Sequence, residues 1–318
     1  MIKLNNREVK YLLFSMSIFL IIISAFQRKI IVLKLFSFIE PVSTLREQDE
    51  KSATWFDDYY TIHFIDSETI AIGEPRYQQQ NYSYLILGDK RAILFDSGSG
   101  RRNIKPVVDS LTSLPVTVIS SHLHFDHIGS HNQFDKIAVV DLPNLRRRTE
   151  KGFLQLSEEE TLGFIENKKS PKLKISEWWK PDSQIEIGGR TLTVIHTPGH
   201  TNDSIALFDE DHKQLFIGDF IFPGVLIGLL PGSSFKSYLK TSRKLVKQIS
   251  SDVKVFSAHR KEDRGIPLLG FTDLFDLKVA LELISQSDLE GDGFYVKLFK
   301  INSKIQIAIE CPLYAFCL

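Results

Sequence analysis

Short runs of β-branched and apolar residues recur along the middle of the chain, and polar side chains follow each run. The runs occupy residues 91–95, 115–121, 190–195, 214–217 and 253–258. Their length and their content of Val, Ile and Thr are typical of buried strands rather than of helices. The pattern therefore predicts a sheet-rich fold that presents polar groups at the ends of its strands.

The two ends of the chain have patterns of their own. Residues 11–26 carry no charge and lie between Lys and Arg residues. As a helix this run would be about 24 Å long, close to the thickness of a bilayer core. We predict an uncleaved membrane anchor, with orientation left open because the flanking charges are nearly symmetrical. The alternative is a signal peptide with Ala25 before its cleavage site, which would make the rest of the chain secreted or periplasmic.

At the other end, residues 293–299 and 304–309 alternate around Asn302 and Ser303, which predicts a terminal hairpin. Cys311 and Cys317 follow it. Their spacing fits no zinc motif, so a disulfide, two free thiols and a site for a tail anchor all stay open.

Composition narrows the class of protein. The chain has 318 residues, of which 43% are hydrophobic and 25% charged, and its formal net charge is zero. These values are typical of a globular protein, and the lack of a basic excess argues against a nucleic-acid partner. We predict an N-terminal anchor or signal segment over residues 1–36, a polar linker over 37–53, one catalytic domain over 54–290, and a hairpin and tail over 291–318.

The strand predicted at residues 115–121 runs into a dense group of potential metal ligands. His122, His124, Asp126 and His127 fall within six residues. Protonated histidines this close repel each other and a carboxylate among them needs a cation, so bound metal explains the group best. Residues two apart share a face in extended backbone, which pairs His122 with His124. A turn near Asp126 would direct Asp126 and His127 to a second position. We therefore predict two metal ions, zinc first, with iron or manganese as alternatives.

Two metal sites need more ligands, and the later strand ends supply candidates. His200 follows the turn at Pro198 and Gly199, after the strand at residues 190–195. Asp219 follows the run at 214–217; an isolated aspartate is usually a turn residue or a helix cap, but this one fits a carboxylate between two metals. His259 follows the run at residues 253–258.

These residues, in this order, resemble the metallo-β-lactamase fold superfamily of binuclear metal hydrolases. The matching pattern is His-x-His-x-Asp-His at residues 122–127, Thr-Pro-Gly-His at 197–200, Gly-Asp at 218–219 and the late His259. The Asp-Ser-Gly element at residues 96–98 is similar to the superfamily's Asp-Thr-Gly. The resemblance covers about residues 54–285 and implies an α/β fold, the four-layered αβ/βα sandwich.

Matching positions also imply a set of ligands. One metal would be held by His122, His124 and His200, and the other by Asp126, His127 and His259. Asp219 would bridge the two. Two departures from the pattern concern neighbouring positions: Ser-Ala-His at residues 257–259 replaces the commoner Pro-Gly-His, and Ser130 replaces a second glycine after His127.

The ligand set implies hydrolysis by a hydroxide that bridges the two metals. Metals lower the pKa of bound water to about 7 and polarise a carbonyl oxygen. A thiolate leaves with little acid help, whereas an amide nitrogen needs a proton donor, for which Asp126 or a water that it orients is the evident candidate. We therefore expect a thioester or ester substrate, an acyl-CoA being one candidate. Residues 124–139 and 218–238 are also similar to the animal acyl-CoA thioesterases of this fold.

Three alternatives stay open. A lactonase or a β-lactamase-like hydrolase would use the same residues, although β-lactamases mostly carry cysteine or a non-ligating residue where this chain has Asp219. A non-hydrolytic metal-binding or diiron redox protein of the same fold is the alternative of another class, although the chain carries no electron-carrier domain. The expected partners are a small-molecule substrate and, through residues 1–36, a membrane.

Other residues have two interpretations each. Trp178 and Trp179, in the variable segment 146–180, either cover a sheet edge or form a lid, and we favour the former. Residues 224–231 are apolar and close to Asp219, so we predict a wall for an acyl chain. We expect His131 at the surface or in helix pairing, with the site as the alternative. Asp96 either orients a ligand histidine or caps the turn at residues 98–100.

Overall fold

The computed structural model describes residues 53–260 and 265–310 of the chain. The predicted membrane anchor and the two cysteines lie outside the described residues. Within the two described ranges, no helix is both long and apolar enough to cross a bilayer. The anchor, the signal-peptide alternative and the location in the cell therefore stay predictions.

Strands make up most of the regular structure. In chain order the strands are β1 Thr54–Trp55, β2 Thr61–Phe64, β3 Thr69–Gly73, β4 Tyr82–Leu87, β5 Ala92–Phe95, β6 Val116–Ile119, β7 Lys136–Val140, β8 Thr149–Glu150, β9 Phe153–Gln155, β10 Lys172–Lys174, β11 Glu177–Trp179, β12 Gln184–Glu186, β13 Thr191–His196, β14 Ile205–Asp209, β15 Gln214–Gly218, β16 Gly224–Ile227, β17 Lys254–Ser257, β18 Leu268–Gly270, β19 Val296–Lys300 and β20 Ile305–Glu310. The α-helices are α1 Lys105–Leu111, α2 Pro143–Arg147, α3 Glu158–Thr161, α4 Phe235–Gln248 and α5 Phe271–Gln286. Short 3₁₀ helices cover His131–Gln133 and Gly163–Glu166.

The strands form two large sheets and two small ones. The first large sheet has the order β1-β2-β3-β4-β5-β6-β7-β11, and the second has the order β12-β13-β14-β15-β17-β18. Strands β5, β6 and β7 run parallel in the first sheet, and β15 and β17 run parallel in the second. Because neighbouring parallel strands end at the same edge of a sheet, the loops that follow these strands lie close to one another at that edge.

The main hydrophobic core lies between the two large sheets. It joins Phe95 and Val118 of the first sheet to Leu207 and Phe216 of the second. The cluster also includes Ile93 and Leu94, neighbours on β5 that point to opposite faces, so it extends through the first sheet to side chains such as Val107 of helix α1. Each of these side chains is almost fully buried, and burying an apolar side chain of this size is worth about 1.5–3 kcal/mol.

The outer face of the second sheet has its own core. Neighbouring residues on a strand point to opposite faces, so Phe208 and Leu215 face away from the main core. They pack with Leu245 of α4 and Leu281 of α5. Helices therefore lie outside two stacked sheets, and the predicted αβ/βα sandwich is confirmed.

One buried guanidinium connects strands of both sheets. Arg190 is 3% exposed, and its Nε donates to Asp209 Oδ2. Its Nη2 donates to Thr69 Oγ1 at 2.9 Å and to Gln214 Oε1 at 3.0 Å, and its Nη1 donates to the carbonyl of Glu68 at 2.9 Å. Because the charge is paired and its donors are used, the group can be buried without a large penalty.

The strands predicted from the hydrophobic runs are all present, as β5, β6, β13, β15 and β17. The predicted terminal hairpin is also confirmed, because β19 and β20 pair antiparallel. The sequence did not indicate that β20 would also pair parallel with β16. This pairing brings Phe299 and Ile307 into the outer core, so the hairpin packs against the rest of the domain.

Candidate metal centre

The seven predicted ligands lie together, each at or just after a strand end. His122, His124, Asp126 and His127 follow β6, His200 follows β13, Asp219 follows β15, and His259 follows β17. The side chains come from both large sheets, at the edge where the parallel strands end. All seven residues are buried. They form three overlapping groups in which the potential ligand atoms lie within 4.8 Å of one another.

Three imidazoles form the first group. His122 Nε2 lies 2.8 Å from His124 Nδ1, and His200 Nε2 lies 3.2 Å from the same atom. Two nitrogen atoms on one tetrahedral zinc ion would lie roughly 3.3 Å apart, given zinc–nitrogen distances of about 2.0–2.1 Å. The observed spacing is close to that value, so the three nitrogen atoms fit a single metal ion.

The second group contains one carboxylate and two imidazoles. Asp126 Oδ2 lies 3.3 Å from His127 Nε2 and 3.5 Å from His259 Nε2. Asn81 Nδ2 donates to the carbonyl of Asp126 at 2.7 Å and to its Oδ2 at 3.1 Å. The carboxylate is therefore fixed by an amide from one side and faces two ring nitrogens on the other.

Asp219 lies between the two groups. Its Oδ2 is 3.1 Å from His259 Nε2 and 3.7 Å from His200 Nε2, and its Oδ1 is 3.5 Å from His127 Nε2. Its buried Oδ1 has no hydrogen-bond partner among the described residues. A buried carboxylate oxygen without a partner is costly, and a cation would relieve that cost.

The charges of the two groups differ. In the first group, burial is the main cause that lowers the pKa of His122 well below its usual range, lowers the pKa of His124 to about 3, and lowers the pKa of His200. These rings are therefore neutral at pH 7. Neutral imidazole is the form that binds metal.

In the second group the carboxylates outweigh burial. Burial alone would lower the pKa of His127, but Asp126 and Asp219 raise it well above its usual range. The same balance, with Asp219 as the main carboxylate, raises the pKa of His259. Burial would raise the pKa of Asp219, yet His259 and His127 hold it far below its usual range. This group therefore favours positive charge, which a metal ion supplies.

The outer nitrogen of most rings is held by an acceptor. His127 Nδ1 donates to Asp96 Oδ2 at 3.0 Å, His200 Nδ1 to the carbonyl of Ile227 at 3.2 Å, and His259 Nδ1 to the carbonyl of Gln79 at 3.0 Å. A carbonyl or a carboxylate only accepts, so in each neutral ring Nδ1 carries the proton and Nε2 keeps its lone pair. Such partners commonly orient metal-binding histidines, so the donor set fits a divalent metal.

The sequence left two interpretations open for each of two residues outside the predicted ligand set, Asp96 and His131. Asp96 Oδ2 contacts His127, and its Oδ1 accepts from the backbone N–H of Ser121 at 2.6 Å, which favours the orienting role. The favoured surface position of His131 is wrong. His131 is 1% exposed, because the 3₁₀ helix after His127 brings its Nδ1 within 2.7 Å of Ser97 Oγ. His131 is not part of any described group that could hold a metal.

Sequence reasoning missed the residues that reach the centre from the connection between β3 and β4. Asn81 contacts Asp126 and also forms an isolated β-bridge with His259, and Gln79 supplies a carbonyl. The signal was a run of four side-chain amides at residues 78–81, which alone does not indicate an active site.

A cavity of about 560 Å³ opens onto both groups of ligands. His124, Asp126, His200, Asp219 and His259 line its polar side. The apolar lining consists of Phe125, Leu162, Ile165, Phe222, Ile227 and Leu230.

The apolar wall predicted at residues 224–231 is confirmed, since Ile227 and Leu230 belong to this cavity. Trp178 and Trp179 lie in β11, which pairs with β7 at the edge of the first sheet. They are therefore part of the edge strand itself, and neither lines the cavity, which argues against the alternative of a lid.

The fold and the centre agree with what comparisons with known proteins find. The model of the metallo-beta-lactamase superfamily matches residues 76–258, more than half of the chain. The chain therefore belongs to the metallo-beta-lactamase superfamily, a class of metal-dependent hydrolases.

Among its relatives in sequence, the chain is similar to the acyl-coenzyme A thioesterase MBLAC2. The chicken (Gallus gallus) protein is 29% identical over 210 residues, which cover 59% of this chain and 76% of the relative. The human (Homo sapiens) protein is 27% identical over 233 residues, or 64% and 81%. Among solved structures, a metallo-beta-lactamase from Pontibacter korlensis is 18% identical with a TM-score of 0.53, covering 70% of this chain and 99% of that one. This last likeness shows a shared fold.

Proposed function

We propose that the chain hydrolyses the thioester of an acyl-CoA. The observation that carries this proposal is the apolar cavity that opens directly onto the two ligand groups. Its volume of about 560 Å³ falls in the range of small-molecule sites, and its aliphatic and aromatic lining suits an acyl chain. The similarity to proteins named as acyl-coenzyme A thioesterases supports the same substrate class.

We assign the seven ligands as the sequence pattern implies. His122, His124 and His200 would hold one divalent ion, and Asp126, His127 and His259 would hold the other. Asp219 would contact both, which is supported by its distances to imidazoles of each group. Nitrogen and carboxylate donors without thiolate suit zinc, with iron or manganese as alternatives. Such ions, when bound, supply Lewis-acid polarisation of a carbonyl and a water of lowered pKa.

The protein's own groups have three tasks. The cavity wall binds the acyl chain, which excludes water from the surroundings of the scissile carbonyl. Asp126 accepts a proton from the attacking water; its Oδ2 faces Asn81 and His127, which leaves Oδ1 for that proton. The thiolate of the leaving group needs no strong acid, so the carboxylate of Asp126 suffices for a thioester, whereas the amide nitrogen of a lactam would need a proton.

The proposal can be tested on the purified full chain. The metal content is measured by mass spectrometry, and turnover is measured for long-chain acyl-CoA, acetyl-CoA, a lactone, nitrocefin and a phosphodiester. We expect two metal ions per chain and a clear preference for long-chain acyl-CoA. Chelation should abolish turnover, and Zn²⁺ should restore it.

Substitutions separate the ligands from other histidines. Asp219→Ala and His124→Ala should each lose metal and at least 100-fold in turnover. The matched control is His196→Ala, because His196 bonds the carbonyl of Asn202 and lies outside the ligand groups. Full turnover and both metals in either ligand variant would refute the site. Equal turnover of long-chain and acetyl thioesters would refute the role of the cavity.

A further inference from the structure

A second cleft adjoins the substrate cavity. This cleft, which we call the lysine cleft, has a volume of about 300 Å³. Phe125 lines both the lysine cleft and the cavity above the ligands. Leu162 lines the substrate cavity, whereas its neighbour Thr161 and the nearby Lys168 line the lysine cleft. Phe125 and the segment at residues 161–168 therefore form the wall between the two spaces.

The lysine cleft carries positive charge. Lys168 and Lys169 line it, and no carboxylate does. Lys168 Nζ is 2.8 Å from Glu166 Oε2, and the same carboxylate lies 4.0 Å from Arg101. Lys169 forms no ion pair within residues 53–260 and 265–310. Lys168 Nζ also donates to the carbonyl of Ser99 at 2.5 Å, and the buried carboxylate of Glu74 lies behind Ser99. Lys169 is therefore the cation of the cleft that has no carboxylate partner among these residues, and it is exposed.

The other walls of the lysine cleft combine three glycines with the apolar side chains of Phe125, Ile128 and Pro171. Gly100, Gly129 and Gly163 contribute no side chain. A Cβ atom on Gly129 would lie 2.2 Å from the backbone nitrogen of Gly100, so a side chain at residue 129 would clash with the backbone. Asn132 adds a side-chain amide. Ammonium groups and a side-chain amide, in a cleft that no carboxylate lines, are groups that bind phosphate.

We infer that the lysine cleft binds the phosphate groups of the coenzyme A part of the substrate. The inference rests on the proposed function and extends it to the leaving group. An acyl chain in the apolar cavity puts the thioester carbonyl beside Asp126, and Phe125 is the adjacent residue. Lys168 Nζ lies 5.0 Å from the centre of the Phe125 ring. The pantetheine arm therefore has a short path over Phe125 to Lys168 and Lys169.

The test compares two thioesters of one fatty acid in the full chain, acyl-CoA and acyl-N-acetylcysteamine, which lacks phosphate. Lys169→Glu should raise KM for acyl-CoA about tenfold, because a like charge faces the phosphates, with kcat unchanged. The KM for the N-acetylcysteamine thioester should stay within twofold. The matched control is Lys136→Glu, an exposed lysine on β7 that does not line the lysine cleft. Its KM for acyl-CoA should not change.

Calorimetry with free coenzyme A keeps this inference separate from the proposed function. Wild-type protein should bind coenzyme A at least fivefold more tightly than Lys169→Glu does, whether or not either thioester is hydrolysed. If the protein hydrolyses no thioester but this difference in coenzyme A binding is observed, the proposed function is refuted and the inference about the lysine cleft stands. Equal coenzyme A binding by the two proteins, or an equal change of KM for both thioesters, would overturn the inference. Inorganic phosphate that binds as tightly as coenzyme A would also overturn it, because the cleft would then recognise any small anion.

Discussion

Replacing Asp96 by asparagine should weaken metal binding without disturbing the fold. Asp96 has φ of 67°, a conformation that asparagine also adopts with little strain. The side-chain carbonyl of the substituted amide can still accept from the N–H of Ser121, as Asp96 Oδ1 does at 2.6 Å. The change acts on the other contact, where Asp96 Oδ2 accepts from His127 Nδ1. An amide NH₂ there donates, so Nδ1 of His127 can no longer carry a proton and Nε2 must keep one.

The cost follows from what surrounds His127 Nε2. This atom lies 3.3 Å from Asp126 Oδ2 and 3.5 Å from Asp219 Oδ1, so a proton on it would be held by two carboxylates. A metal would have to displace that proton and break the new hydrogen bond from the amide. Loss of a partner that orients a metal-binding histidine typically costs 10- to 100-fold in metal affinity. That range corresponds to about 1.4–2.7 kcal/mol.

The assay is a competition between the protein and a chromophoric chelator for Zn²⁺, with thermal unfolding of the metal-free protein measured alongside. One of the two metals should bind 10- to 100-fold more weakly in Asp96→Asn, while the unfolding midpoint of the metal-free protein changes by less than about 3 °C. Asp203→Asn is the control, because Asp203 accepts from the backbone N–H of Leu123 at 2.9 Å and its side chain bonds no imidazole among the described residues. Unchanged affinity for both metals in Asp96→Asn would refute the assigned proton position on His127.

Two further predictions concern stability. Arg190→Met removes the guanidinium that pairs with the buried carboxylate of Asp209 and should lower the free energy of unfolding by about 3–5 kcal/mol in a urea titration. Arg243→Ala, which breaks an exposed ion pair, should cost less than about 1 kcal/mol. Similar costs for the two variants would contradict the argument. Gly129→Ala would put a Cβ atom against the backbone of Gly100 and should cost at least about 2 kcal/mol by thermal unfolding. Gly270→Ala, with open space around it, should cost less than about 1 kcal/mol, and equal losses would rule out the clash.

The ligand positions could be predicted because each depends on a local pattern. A buried strand ends where its apolar run ends, and parallel strands end at a common edge, so His122 and Asp219 could be placed near each other from runs about 100 residues apart. The spacing within residues 122–127 then divided one cluster into two pairs. The structure has these residues in two groups of three with Asp219 between them. The same local reasoning failed for His131, because whether a side chain is buried depends on the loop that packs over it.

The main-chain partners of the ligands could not be predicted, unlike the side-chain partner Asp96, and the reason is chemical. His200 and His259 are oriented by the carbonyls of Ile227 and Gln79, and a carbonyl is present at every residue, so residue type carries no signal of this role. Ile227 shows the consequence, since its backbone orients a predicted ligand while its side chain lines the cavity that opens onto the two ligand groups. Substitutions of that side chain can therefore change the shape of the cavity and leave the carbonyl that holds His200 in place. Main-chain carbonyls thus orient two of the predicted ligands, whereas side chains hold two others, His127 through Asp96 and Asp126 through Asn81. Only the partners that act through side chains can leave a signal in the sequence.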